Sequence, residues 1–210
     1  EDLSREGGNK IRLDSGFYRS VIHACAVSGD TATAEALIET INNKELKNVK
    51  ADRYMYHSLL QAHANSGDKD AGEKAEAILK QMDDIAMREG YSFVKPHSDC
   101  YMRVLECWAN SEDSEKAVER SEALLLEMEK RAERDSQLKP TPAAYSRYVV
   151  VSSSDLPIVC ASYADTCLLS FFRVINTMAR AGNMTKTKAL LKRMYDNSGK
   201  CSGVEAFVSA

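Results

Sequence analysis

Apolar residues recur along this chain at the spacing of one helix face, and the segments that carry them follow one another as copies. One copy places its buried-type residues at positions i, i+3, i+4, i+7 and i+8, namely Tyr56, Leu59, Leu60, His63 and Ala64. This spacing predicts an amphipathic helix with a single buried stripe. Because His63 lies on that stripe, we expect it to be a core histidine whose hydrogen bonds are satisfied.

The same helix, here called helix A, occurs four times and always opens with a tyrosine. The four tyrosines are Tyr18, Tyr56, Tyr101 and Tyr145. Glycine, which tolerates the left-handed backbone that ends many helices, follows helix A in three copies, at Gly29, Gly67 and Gly182. The next residue is a good helix N-cap in every copy, and we expect caps at Asp30, Asp68, Asp113 and Asn183.

A second amphipathic segment, helix B, follows each of these turns and is rich in strong helix formers. Its copies read "AEALIETI" from Ala34, "AEAILKQM" from Ala75, "SEALLLEM" from Ser121 and "TKALLKRM" from Thr187. A few extra residues precede the block in the second and third copies, which predicts a longer helix B there. One helical hairpin cannot bury its apolar face alone, whereas stacked hairpins share a continuous core. The pattern therefore predicts an all-α fold, a right-handed solenoid of four helix pairs.

This periodicity divides the chain into one solenoid domain with short ends. We predict a polar leader at 1–13, a tail at 197–210, and repeats at 14–51, 52–96, 97–140 and 141–196.

The fourth repeat is interrupted by a segment unlike the rest of the chain. Removing residues 148–173 restores the alignment of helix A with the third copy, so the insertion splits a packed stripe. The segment carries few charges and the helix-breaking Pro157. One hypothesis is a translated intron, because codons for its first and last residues can spell splice-donor and splice-acceptor sequences. The alternative is a genuine insertion, and we assign the segment no function.

Composition limits the class of protein. The 210 residues are 44% hydrophobic and 28% charged, which is typical of soluble globular chains. The net charge of −3 argues against binding to nucleic acid by a general excess of positive charge. No apolar run approaches the roughly 20 residues of a membrane-spanning helix. Because the chain opens with Glu1 rather than methionine, we expect it to be a fragment or a processed product.

No motif in the sequence indicates catalysis. The nearest approach to a zinc site is His97 with Cys100 and Cys107, but Cys107 lies within a predicted helix and no second close pair completes four ligands. We expect the cysteines to be free thiols and Trp108 to be a core residue. We therefore expect no enzymatic activity, metal, cofactor or small-molecule substrate.

Taken together, these features resemble the pentatricopeptide repeat family. The residues that carry the resemblance are the helix A tyrosines, the alanine on each stripe, the Ser-Gly-Asp turns at 28–30 and 66–68, and the Ala-Glu-Ala start of helix B. It covers about residues 15–194 apart from the insertion. The resemblance implies binding of single-stranded RNA at one base per repeat, read by two or three side chains. It also implies a role in RNA processing, stability or translation in the mitochondrion or the plastid.

The resemblance further implies which residues contact the RNA. The first base reader follows the helix A tyrosine and is Arg19, His57, Met102 or Ser146 in the four copies. The second reader ends the repeat and is Asp52, His97 or Thr141 in the first three. The residue two before the tyrosine would sandwich the base and is Gly16, Tyr54, Asp99 or Ala143. A position that is often basic in the family holds Val27, Asn65, Asn110 and Arg180.

A second hypothesis stays open from the sequence. Arg19, His57 and Met102 differ from the Asn, Ser or Thr that the family favours at the first reader, and only Arg180 is basic at its position. Together with the acidic balance, these departures favour a protein–protein scaffold whose concave helix A surface would bind a peptide or a partner helix.

Overall fold

The computed structural model describes residues 14–43, 49–90, 92–141, 143–145, 188–190, 192–193 and 196. Between residues 14 and 141 the described chain forms helices joined by short turns, and no strand occurs in any of the described ranges. The α-helices are α1 (Ser15–Ser28), α2 (Thr31–Asn42), α3 (Arg53–Ser66), α4 (Ala71–Glu89), α5 (Ser98–Ala109) and α6 (Ser114–Ala132). Short 3₁₀ helices follow α4 and α6 at Ser92–Val94 and Ser136–Leu138. The all-α prediction is therefore confirmed.

The helices are stacked as pairs. Helices α1, α3 and α5 are the predicted helix A copies, and each packs against the next, α1 on α3 and α3 on α5. Each helix B packs against its own helix A and against the helix A that follows, as α2 does on α3 and α4 on α5. Because neighbouring pairs share their apolar faces, the core runs through the stack, as expected of a helical-repeat solenoid.

Side-chain caps begin the helices and glycines end several of them. Asp30 accepts a hydrogen bond from the Thr33 amide at 3.1 Å, and Asp113 accepts one from Lys116 at the same distance, so these two predicted caps are confirmed. Gly29 and Gly67 end α1 and α3 with φ of 72° and 71°, in the left-handed region that glycine tolerates.

The cap predicted at Asp68 is wrong. Helix α4 begins after Asp70, because Lys69 and Asp70 form a further turn between the glycine and the helix. The Asp68 carboxylate instead lies 3.3 Å from the Lys74 ammonium group. Longer connections were visible in the sequence, but their turn geometry was not. The predicted Gly182 turn and Asn183 cap lie outside the described residues.

The predicted stripe is buried, and Tyr56 and Leu60 are completely enclosed. Trp108 is also a core residue, as predicted, and is 3% exposed. Its ring lies against Gly72 of α4, and its indole nitrogen donates to Glu76 Oε1 at 2.8 Å. Trp108 therefore ties α5 to the preceding helix B.

The expectation that His63 is satisfied is wrong, although its burial is confirmed. The imidazole is fully buried, and Nε2 lies 3.0 Å from Glu35 Oε1 without the alignment of a hydrogen bond. Nδ1 has no hydrogen-bond partner. Burial lowers the pKa of His63, against the opposing effect of the Glu35 carboxylate, so the ring is held neutral.

The outer helices α4 and α6 are joined by ion pairs. Lys116 pairs with Glu73, and Arg120 pairs with Glu76. Arg131 lies 2.6 Å from Asp83. These pairs are exposed to solvent and each contributes little stability, but they link successive repeats.

The predicted leader, the insertion at 148–173 and the tail lie outside the described residues. The predicted repeat boundaries and the two explanations of the insertion stay predictions.

Candidate nucleic-acid interface

The positions predicted as second readers are helix N-caps. Asp52 caps α3 and accepts a hydrogen bond from the Met55 amide at 3.1 Å through Oδ1. His97 is the N-cap residue of α5 but makes no capping bond through its side chain. Thr141 is exposed, and its hydroxyl oxygen lies 3.4 Å from the Ala144 amide that donates to it. Positions that the resemblance assigns to base reading therefore also hold the starts of helices.

In the first repeat the two predicted readers contact each other. The Arg19 guanidinium group donates through Nε to Asp52 Oδ2 at 2.8 Å, and its Nη2 donates to the same oxygen. Because Oδ1 caps α3, both oxygens of Asp52 are engaged, and its side chain is only 15% exposed. A base could use Asp52 only if the pair with Arg19 opened.

The two predicted histidine readers each accept from an arginine of a neighbouring helix. Arg103 Nε donates to His57 Nε2 at 3.2 Å, and Arg53 contacts His97 Nε2. Arginine can only donate, so both imidazoles accept and are neutral. Burial, followed by the nearby Arg103, lowers the pKa of His57, and burial, followed by Arg53, lowers that of His97.

Tyr54, predicted to sandwich a base, is exposed over 61% of its area. The Arg19 and Arg53 guanidinium carbons each lie 5.4 Å from the centre of its ring. This distance permits a cation–π contact with each arginine. The ring and the two arginines form a solvent-facing patch across α1 and α3.

We call the solvent-facing side of α1, α3 and α5, with their caps, the helix A surface. Its polar and aromatic members are Arg19, Asp52, Arg53, Tyr54, His57, His97, Asp99 and Arg103. Asp99 lies close enough to both predicted histidine readers to oppose, weakly, the lowering of their pKa values. The structure therefore brings most of the predicted site residues of the first two repeats onto one surface.

Other predicted residues are placed less favourably. Met102 is half-buried and packs against the core rather than standing free in solvent. Gly16 lies in the first turn of α1 and has no side chain to offer, while Ala143 is half-buried. Ser146 and Arg180 lie outside the described residues.

The often-basic position has a structural role in the second and third repeats. The Asn65 amide donates to the Ala26 carbonyl at 2.8 Å, and the Asn110 amide donates to the Ala64 carbonyl at 2.9 Å. Each asparagine therefore joins the end of its helix A to that of the preceding one. Neither amide is free to contact a phosphate.

Two cations of this surface, Arg53 and Arg103, were missed in the sequence. Only one helix position had been considered for phosphate contacts, and neither residue occupies it. Arg53 lies four residues before His57, and Arg103 directly follows Met102. Their helical spacing from the predicted readers was the signal that could have found them.

The candidate zinc ligands are not brought together, and the described chain contains no group of three side chains able to hold a metal ion. Burial raises the pKa of Cys100 to about 11 and that of Cys107 to about 12, so both thiols stay protonated at neutral pH. None of the described helices is both long and apolar enough to cross a membrane.

Comparison with curated proteins finds no match to this chain. A family model does match, and the matched residues run from the end of α2 through the whole of α3 into α4. This region contains Asp52, Arg53, Tyr54 and His57, which are half of the helix A surface. The matching model is that of the pentatricopeptide repeat domain, over residues 40–85, and the family resemblance predicted from the sequence is therefore confirmed.

Proposed function

We propose that this protein binds single-stranded RNA on the helix A surface and acts in RNA processing, stability or translation in the mitochondrion or the plastid. The observation that carries the proposal is the exposed Tyr54 ring between the guanidinium groups of Arg19 and Arg53. An aromatic ring of this kind can stack a base, and adjacent arginines can contact the phosphates on either side of it. The match to the pentatricopeptide repeat model supports the same partner.

The described surface favours one well-defined stacking position over a complete base code. At the first reader, Arg19 is paired with Asp52 and Met102 is half-buried. The neutral imidazoles of His57 and His97 are committed as acceptors to arginines. We therefore propose that base stacking and phosphate contacts supply most of the affinity, and that hydrogen-bond reading of bases supplies little.

Fluorescence anisotropy of a labelled single-stranded RNA tests this function. Tyr54→Ala is expected to weaken binding by about five- to a hundredfold, since one stacked base contributes ~1–3 kcal/mol. Arg53→Ala is expected to make the slope of log K against log salt shallower by about 0.7, the value for one phosphate contact on a single strand. The matched control is Arg120→Ala, which removes an exposed arginine paired with Glu76 between α4 and α6.

The control variant should bind RNA like the unchanged protein, and circular dichroism should show all variants folded. Equal losses in Tyr54→Ala and Arg120→Ala would contradict the proposed surface. The absence of saturable binding by the unchanged protein would contradict the function itself.

The second candidate function is a protein–protein scaffold on the same surface. It is favoured by the internal pairing of the charges, because both oxygens of Asp52 are engaged and the net charge is −3. A surface whose arginines are already neutralised attracts a polyanion less strongly. Failure of RNA binding, together with recovery of a partner whose binding is lost in Tyr54→Ala, would favour the scaffold.

A further inference from the structure

The first helix of the stack exposes an apolar face that its counterparts bury. The face lies one residue before the helix A tyrosine and three and six residues after it. In α3 these positions are Met55, Leu59 and Ala62, and in α5 they are Cys100, Val104 and Cys107, all of them buried. In α1 they are Phe17, Val21 and Ala24. Phe17 is 47% exposed, Val21 is half-buried and Ala24 is exposed.

Contacts in the later repeats show what covers this face. The Cys107 thiol of α5 lies 3.8 Å from the Leu60 carbonyl oxygen of α3. The asparagine at the end of each helix A reaches the same preceding helix, as Asn110 does when it donates to the Ala64 carbonyl at 2.9 Å. In α3 and α5 the face is therefore occupied by the helix A of the preceding repeat.

Helix α1 has no such neighbour within the described part of the chain. Val27 also replaces the asparagine found at the equivalent place in α3 and α5, and it is 71% exposed. The change from amide to isopropyl extends the apolar strip to the last turn of the helix. Phe17, Val21, Ala24 and Val27 thus leave one side of α1 without a covering layer among the described residues.

We propose that this α1 face is the docking surface for the helix A of another helical hairpin, carried by the same polypeptide and preceding α1. The established interfaces α1–α3 and α3–α5 repeat at a fixed geometry, and the α1 face presents the residues that would continue them by one step. The covering helix would lie parallel to α1, as α1 lies relative to α3.

The size of the face favours an occupant from the same chain over a second molecule. Helix α1 has 14 residues and is about 21 Å long at ~1.5 Å per residue. A strip along one side of a helix of about 10 Å diameter covers on the order of 200 Å². A stable interface between separate molecules buries about 800 Å² on each partner. A tethered helix is present at high effective concentration and does not need that area.

The structure also specifies the sequence of the covering helix. Gly29, which ends α1, lies so close to α3 that an added Cβ would be 2.8 Å from the Asn65 carbonyl oxygen. Three residues earlier, Ala26 is fully buried where its carbonyl accepts from Asn65. The covering helix should therefore end in Ala-x-x-Gly, with the glycine over the carbonyl of Val27.

Photocrosslinking of the polypeptide as the cell makes it tests the proposal. The photoreactive residue p-benzoylphenylalanine is incorporated in place of Phe17, and the crosslinked peptides are mapped by mass spectrometry in an equal mixture of light and heavy isotope-labelled protein. The expected product joins position 17 to a helix of the same molecule that precedes residue 1 and ends in Ala-x-x-Gly. The matched control places the same residue at Phe93, which is 70% exposed beyond α4, and should not capture that helix.

Every other product would overturn the proposal. A crosslink between light and heavy chains would show that a second copy covers the face. A crosslink to residues 1–13, to another protein, or to nothing at all would show that no preceding hairpin is docked there.

Discussion

Substitution of Gly72 by alanine should destabilise the protein, although alanine is the better helix former. An added Cβ would lie 2.5 Å from Cδ2 of Trp108 and 2.7 Å from both Cε2 and Cε3. The indole is 3% exposed and held by its bond to Glu76, so it has little room to move. Overpacking of this kind costs about 1–3 kcal/mol, and the gain in helix propensity recovers up to ~1 kcal/mol.

The expected net loss is therefore about 1–2 kcal/mol, or a fall of roughly 2–8 °C in the thermal midpoint for a chain of this size. Thermal unfolding followed by circular dichroism measures the midpoint, and the emission of Trp108, the single tryptophan of the chain, reports the local repacking. Gly16→Ala is the matched control, because Gly16 is also the second residue of its helix and an added Cβ meets only the Asp14 carboxylate, at 3.3 Å.

The control should leave the midpoint unchanged or raise it slightly. The cost of Gly72→Ala should shrink when it is measured in a Trp108→Phe background, because the smaller ring removes the close contact. An unchanged midpoint for Gly72→Ala, with unchanged tryptophan emission, would refute the packing described for α4 and α5.

Three further predictions concern the joints and charges of the stack. Asn65→Ala should lower the free energy of unfolding by about 0.5–1.5 kcal/mol in urea titrations, because it removes the bond to the preceding helix, and an unchanged midpoint would show that this bond adds nothing. The pKa values of His57 and His97 lie below 6.5 in the folded protein, so the unfolded chain binds more protons near pH 6. Stability should therefore fall as pH drops through about 6.5, and equal urea midpoints at pH about 7.5 and 5.5 would contradict this. Asp52→Asn keeps the capping oxygen but removes the charge that pairs with Arg19, so RNA affinity measured by anisotropy should rise by up to about fivefold, or ~1 kcal/mol, and weaker binding would contradict the proposed role of Arg19.

The helices and their order could be predicted from the sequence because they depend on local and periodic signals. The stripe through Tyr56 and Leu60 and the glycine stops at Gly29 and Gly67 are of this kind. The start of α4 could not be predicted, since any of several polar residues after the glycine could cap it, and the folded turn selected Asp70.

The candidate site was predicted less completely, because its chemistry depends on contacts between repeats. Arg19 and Asp52 are 33 residues apart, and their pairing follows from the packing of α1 on α3. Family positions directed attention to these residues but away from Arg53 and Arg103, whose roles appear only when neighbouring helices are placed side by side. His63 was recognised as buried, but its unpartnered nitrogen could not be inferred from its place on the stripe.

The most direct test of the central claim is ultraviolet crosslinking of the purified protein to single-stranded RNA, followed by mass-spectrometric mapping of the crosslinked residue. Our account predicts a crosslinked peptide from the start of α3 that contains Tyr54, the exposed ring between Arg19 and Arg53. Crosslinks confined to the outer helices α4 and α6, or no crosslink at protein concentrations that saturate binding, would contradict RNA recognition by the helix A surface.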